Sequence, residues 1–129
     1  MPQATKVFPV FAVRDLDAAI NYYKQKLGFT IDWMWGEPPS RAGVVLDDIE
    51  IQLDAAGAGA PPGPSVVYCH MTGIDAYYAA CQTSGAVIAL DLGDRPWGMR
   101  DFRVVDLDGN RIGFGARLWS LGSVSETAV

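Results

Sequence analysis

One order of structural signals runs through this chain twice, and that repeat limits its fold more than any other feature. "RDLDAAI" (14–20) answers "TGIDAYY" (72–78), and "LDDIEIQL" (46–53) answers "LDGNRIGF" (107–114). Around each pair the pattern reads strand, helix, strand, strand, strand. "KVFPVFAV" is a strand. "DLDAAINYYKQKLG" is a helix with Asp15 as N-cap, an apolar face of Leu16, Ala19, Ile20, Tyr23 and Leu27, and Gly28 as its stop. "FTIDWMW", "AGVVL" and "IEIQLD" complete the first set, the last two joined by the turn Asp47-Asp48. In the second set "SVVYCHM" is a strand, "GIDAYYAACQTSG" a helix, and "AVIALD", "DFRVVDL" and "RIGFGA" strands, with "DLDGN" turning between the last two.

The expected organisation is a first βαβββ module over 6–54, a linker over 55–64, a second module over 65–116 and a tail over 117–129. The linker "AAGAGAPPGP" is too rich in Gly and Pro to continue a helix or a strand. Each half is too small to bury its own strand residues well, so 1–129 is expected to form a single domain. Half of the residues are hydrophobic and 19% are charged, enough for a packed core.

A net charge of −5 argues against a nucleic-acid or anionic-membrane partner and favours a cationic ligand. No apolar run approaches the ~20 residues that span a bilayer, and "MPQATK" lacks the design of a secretion signal. A cytoplasmic protein is expected. Cys69 and Cys81 fit no zinc spacing and are read as reduced, Cys69 in a strand and Cys81 in a helix. With His70 as the sole histidine, a zinc or iron site would have to rely on carboxylates, which is awkward for either metal.

The paired βαβββ order, the helix "VRDLDAAINYYKQKLGF" and the closing "PWGMRDFRVVDLDGNRIGFG" resemble the vicinal oxygen chelate superfamily of glyoxalase I, extradiol dioxygenases and bleomycin resistance proteins. The resemblance spans residues 6 to about 116. It implies an α+β fold in which paired βαβββ modules form a cup-shaped mixed sheet with the helices outside. Strand alternation then sends Ile49, Ile51, Leu53, Val67, Cys69 and Met71 toward the helices, and Glu50, Gln52, Val66, Tyr68 and His70 into the cup.

Metal-dependent members take ligands at four strand positions, which ungapped matching puts at Phe8, Gln52, Val66 and Gly113. Only Gln52 offers an electron pair. His70 stands ~13 Å along the strand from Val66, so it does not substitute. The expectation is therefore no metal and no cofactor. "FPVFAV", "LGFTIDW" and "WGMRDF" resemble most the bleomycin-resistance-like members, dimers that sequester a cationic antibiotic unchanged. That implies a homodimer, with Trp33 and Tyr68 as aromatic walls, Asp32 beside them, and Trp97-Gly98 in the closing loop.

Read physically, Trp33 and Trp35 share one face of "TIDWMW" with Ile31. They are a stacking surface for flat heteroaromatic groups, or part of a core or dimer interface. Trp97 sits in a loop, which favours a binding role. Trp119 is expected to pack or dimerise. Asp32 and Glu50 pair with ligand cations or form a solvated face. Arg103 faces the cup or pairs with Glu50. No Ser-His-Asp, Cys-His or phosphate-loop constellation is present.

The sequence thus points to a metal-free binder of an aromatic, cationic, antibiotic-like molecule. The alternatives are a glyoxalase-, epimerase- or dioxygenase-like enzyme with Gln52, Glu50 and His70 around a metal, and a biosynthetic accessory protein.

Overall fold

The computed structural model describes residues 1–55 and 62–118. Most of the expected linker and the tail with Trp119 lie outside the described residues. The elements are β1 (Val10–Ala12), α1 (Leu16–Leu27), β2 (Thr30–Trp35), β3 (Arg41–Leu46), β4 (Ile49–Asp54), β5 (Val66–His70), α2 (Ile74–Ser84), β6 (Val87–Asp94), β7 (Met99–Val105) and β8 (Arg111–Arg117). They form two mixed four-stranded sheets with one strand order, β1-β4-β3-β2 and β5-β8-β7-β6. In each, the first and last strands of the module pair in parallel and the other pairs are antiparallel. The repeat read from the sequence is thus a repeat of topology.

The chain divides into two compact units, residues 1–65 with 106–110, and Val66–Val105 with the segment from Arg111 onward. In the first, α1 packs on β2, β3 and β4. Asp15 caps it by accepting from Ala18 N–H at 3.1 Å, and Gly28 ends it. The apolar face read from the sequence is buried, as are Phe11, Ala42, Val44, Ile51 and Leu53 on the strands. Tyr22, which that reading left out of the face, is buried too. β1 is shorter than "KVFPVFAV" implied. Pro9 has no N–H to give a ladder and serves only as acceptor, from Gln52 N–H at 3.0 Å.

In the second unit α2 packs on β6, β7 and β8. Its cover is aromatic: Tyr77 and Tyr78 stand edge-on to Phe114 and Phe102, with ring centroids 4.9 Å apart in each case. Cys69 and Cys81 are free and buried, and burial pushes the Cys69 thiol up to about 11. β6 runs further than "AVIALD" because its hairpin turns only at Arg95–Met99, closed by Arg95 N–H to Met99 O at 2.6 Å. Among the described residues, no helix is long and apolar enough to cross a membrane.

The turn "DLDGN" is organised by Asp106. Its Oδ1 accepts from the backbone N–H of Asp108 and Asn110 at 2.8 and 2.9 Å. Its Oδ2 accepts from Asn110 Nδ2 at 3.0 Å and from the Tyr23 hydroxyl at 2.8 Å. Burial first, and then the Asp106 charge, hold the Tyr23 hydroxyl protonated far beyond its ordinary range. A buried carboxylate deprived of one donor is costly. Tyr23→Phe is expected to lower the unfolding free energy by about 1–3 kcal/mol, measured by urea denaturation. A loss below a few tenths would show that the bond contributes nothing net.

Candidate functional site

In the first unit the residues singled out from the sequence lie on the sheet face away from α1. Gln52 pairs with Gly43 across β4 and β3, and Gly43 with Trp33 across β3 and β2, so these three form one row. The Trp33 indole lies across Gly43, where any Cβ would collide with the ring. The ring reaches over β3, and its Nε1 donates to Glu50 Oε2 at 3.2 Å. Gln52 Nε2 donates to the same oxygen at 3.1 Å, and Arg41 donates to Gln52 Oε1 at 3.0 Å. Among the described residues Glu50 has no cationic partner, and Arg41 Nε is buried without an acceptor.

Ile31 does not share the face of Trp33 and Trp35 that strand alternation predicts. The register shifts between Ile31 and Trp33, so Asp32 is an extra residue in the pairing. Ile31 pairs with Val44, which pairs with Ile51, and so belongs to the α1 face, whereas Trp33 and Trp35 share the opposite face. Strict alternation does not survive a bulge. Trp35 is 70% exposed opposite Arg41, and Asp32 is exposed at the bulge and bonded to none of the described residues.

In the second unit the matching row is Tyr68, Gly113, Arg103 and Leu90. The next row is His70, Gly115, Asp101 and Gly93. The Tyr68 ring lies along β8 over both glycines. A Cβ on Gly113 would meet it at 2.7 Å, and one on Gly115 would collide with its hydroxyl. That hydroxyl donates to Asp101 Oδ2 at 2.8 Å, while Arg95 Nε donates to Asp101 Oδ1 at 2.7 Å. Asp101 is only 3% exposed, so its charge is used inside the unit. His70 stands edge-on to Tyr68 with ring centroids 5.7 Å apart. Arg103 shares this face because Phe102 and Val104 on either side point into the core, and it has no ion pair among the described residues. Trp97 is 64% exposed at the Arg95–Met99 turn, and Gly98 is buried there, its carbonyl accepting from Leu118 N–H at 2.9 Å.

The structure therefore gathers Trp33, Glu50 and Gln52 on one sheet and Tyr68, His70 and Arg103 on the other, with Trp35, Trp97 and Gly98 at margins. Gly43, Arg41, Arg95, Asp101 and Gly115 are partners that the sequence reading missed. A glycine inside a strand often marks a close approach, and that signal was available at Gly43 and Gly115.

In the parallel pairing Val10 is level with Gln52 and Tyr68 with Gly113, so Phe8 and Val66, the positions matched without gaps, each stand two residues along the strand from that level. Phe8 and Val66 carry apolar side chains and Gly113 none, so Gln52 alone of the four matched positions offers a donor, too few for a divalent ion. No group of three or more His, Cys, Asp or Glu with a metal-holding arrangement occurs among the described residues.

Partial burial, the Asp101 hydrogen bond and the Asp101 charge push the Tyr68 hydroxyl up to about 12, against the opposing charges of Arg103 and Arg95. A phenol whose folded pKa is raised contributes stability that is complete below its ordinary value near 10, and that is lost as pH rises through about 12. Gly113→Ala forces the ring off the strand and is expected to move this ionisation back toward the ordinary value. An ultraviolet absorbance titration against Tyr68→Phe, which lacks the signal, reads it. An unmoved late ionisation would mean that the ring does not depend on the bare strand.

Several solved structures share this fold. TioX from Micromonospora sp. ML1 is 20% identical, covering 89% of this chain and 100% of its own, with a TM-score of 0.78. TnmS3, an antibiotic binding protein from Streptomyces sp. CB03234, is 24% identical over 90% of this chain and 99% of its own, with a TM-score of 0.72. A glyoxalase-related enzyme from Clostridium phytofermentans is 20% identical over 90% and 97%, with a TM-score of 0.74. No curated protein matches the chain. Residues 7–114 match the family model described as Glyoxalase/Bleomycin resistance protein/Dioxygenase superfamily, a group whose description spans enzymes and resistance proteins. The chain belongs to the Glyoxalase/Bleomycin resistance protein/Dioxygenase superfamily.

Proposed function

We propose that this protein is a metal-free binder that holds a flat aromatic, antibiotic-like small molecule and protects by sequestration rather than turnover. One observation carries the reading. At Gly113, where metal-dependent relatives are expected to present a ligand, the strand is bare and the Tyr68 ring lies across it, tied to Asp101. A side chain fixed in this way offers an apolar face without a donor for a metal.

The first sheet supplies a second plate, Trp33, seated on Gly43 and tied to Glu50. Stacking on such a ring contributes about 0.5–1.5 kcal/mol beyond area burial. A ligand cation over the indole adds about 0.5–2 kcal/mol. Glu50, which lacks a cationic partner among the described residues, suits that cation. The fold shared with TnmS3, an antibiotic binding protein, agrees with this use. The binder is proposed to act as a cytoplasmic homodimer, and sequestration requires it to be at least as abundant as its ligand, because no turnover multiplies its effect.

The test is a tryptophan fluorescence titration of metal-stripped protein with bleomycin-type and quinoxaline-type antibiotics, followed by mass spectrometry of the ligand. Saturable quenching near one ligand per chain, with the ligand recovered unchanged, is the expected result. Trp33→Ala is expected to weaken binding about tenfold. A requirement for a divalent ion would favour the enzyme with an atypical ligand set. A ligand of altered mass would favour an enzyme or a biosynthetic accessory protein.

A further inference from the structure

The second sheet differs in charge from the first, and the difference specifies a ligand. Tyr68 offers a ring held at both ends, by the strand beneath it and by Asp101 at its hydroxyl. Its row partner two strands away is Arg103, with Gly113 between them. The ring itself covers Gly113, so Tyr68 and Arg103 are neighbours in the row with no other side chain between them.

Arg103 is half-buried and has neither a hydrogen bond nor an ion pair among the described residues. The only carboxylate in the two rows is Asp101, and both of its oxygens are taken, Oδ1 by Arg95 and Oδ2 by Tyr68. Asp101 is moreover only 3% exposed, out of reach of a ligand cation, and it makes neither a hydrogen bond nor an ion pair with Arg103. The Arg103 charge is nonetheless felt at the ring, since it acts on the Tyr68 hydroxyl. His70, edge-on to Tyr68, adds a polar group without a negative charge.

We infer that the Tyr68, His70 and Arg103 face takes a planar aromatic bearing an acidic oxygen, such as a carboxylate or an ionised phenol, with the ring stacked on Tyr68 and the oxygen on the Arg103 guanidinium. This rests on the binder reading and adds to it a ligand charge opposite to the one that Glu50 suits. The net charge of −5 does not overrule it. Charges spread over the surface are screened within ~8 Å at physiological salt, whereas a guanidinium in contact with an oxyanion is screened far less. A planar guanidinium also matches a carboxylate with two parallel hydrogen bonds.

The experiment compares naphthoate, naphthamide and naphthylmethylamine, which share a ring and differ in charge, by isothermal titration calorimetry on the full chain. Wild-type protein is expected to bind naphthoate about tenfold or more tightly than naphthamide, the difference of a charged hydrogen bond. Arg103→Gln is expected to abolish that preference while leaving the affinity for naphthamide within about twofold, and Arg103→Lys to keep part of it. Arg103 lies outside the core, so circular dichroism and melting of both variants should match wild type. Equal affinity for naphthoate and naphthamide, or a preference that survives Arg103→Gln, would overturn the inference while leaving the binder reading standing. Failure of all three probes and of the antibiotics to bind without a divalent ion would overturn both.

Discussion

An aromatic side chain on an edge strand lies across a glycine of the next strand and is bonded to a carboxylate on the strand beyond. This arrangement occurs once in each sheet, and the rest of the candidate site depends on it. Trp33 crosses Gly43 to reach Glu50, and Tyr68 crosses Gly113 and Gly115 to reach Asp101. In both cases the missing Cβ permits the contact, and the polar end fixes the angle of the ring. A ring tied at its tip loses little rotational freedom when a ligand stacks on it, which favours affinity. The two units reach this from different ends of one topology, β2 in the first and β5 in the second.

The two tethers leave different charges behind. Glu50 accepts from Trp33 and Gln52 through a single oxygen and retains its charge without a cationic partner among the described residues. Asp101 is neutralised by Arg95, and the charge left on that face is that of Arg103. A net charge summed over the chain conceals this contrast. Ligand contacts depend on the few groups within a Debye length, so the local pattern outweighs the total.

The family combines enzymes with binding proteins on one scaffold, and fold does not decide between them. What separates them is what a handful of strand positions carry. Here the matched positions Phe8, Gln52, Val66 and Gly113 provide two apolar side chains, one amide and bare backbone. Such a set suits stacking and hydrogen bonding better than coordination of a divalent ion.

The element order, the helix limits at Asp15 and Gly28, the apolar face of α1 and the alternation that puts Glu50 and Gln52 opposite Ile51 and Leu53 are all legible in the amino-acid order. These are local properties: a cap, a stop and a period of two or 3.6 residues are written in neighbouring letters. The register is set by strand pairing in the folded chain. A single extra residue at Asp32 moved Ile31 to the face opposite Trp33, and pairing across strands set Val10 beside Gln52 and Tyr68 beside Gly113. Pairing also decided what the glycines are for. Gly113 reads in sequence as a missing ligand, and in the sheet as the seat of a ring donated from 45 residues earlier in the chain, a relation that no local pattern encodes because strand pairing sets it.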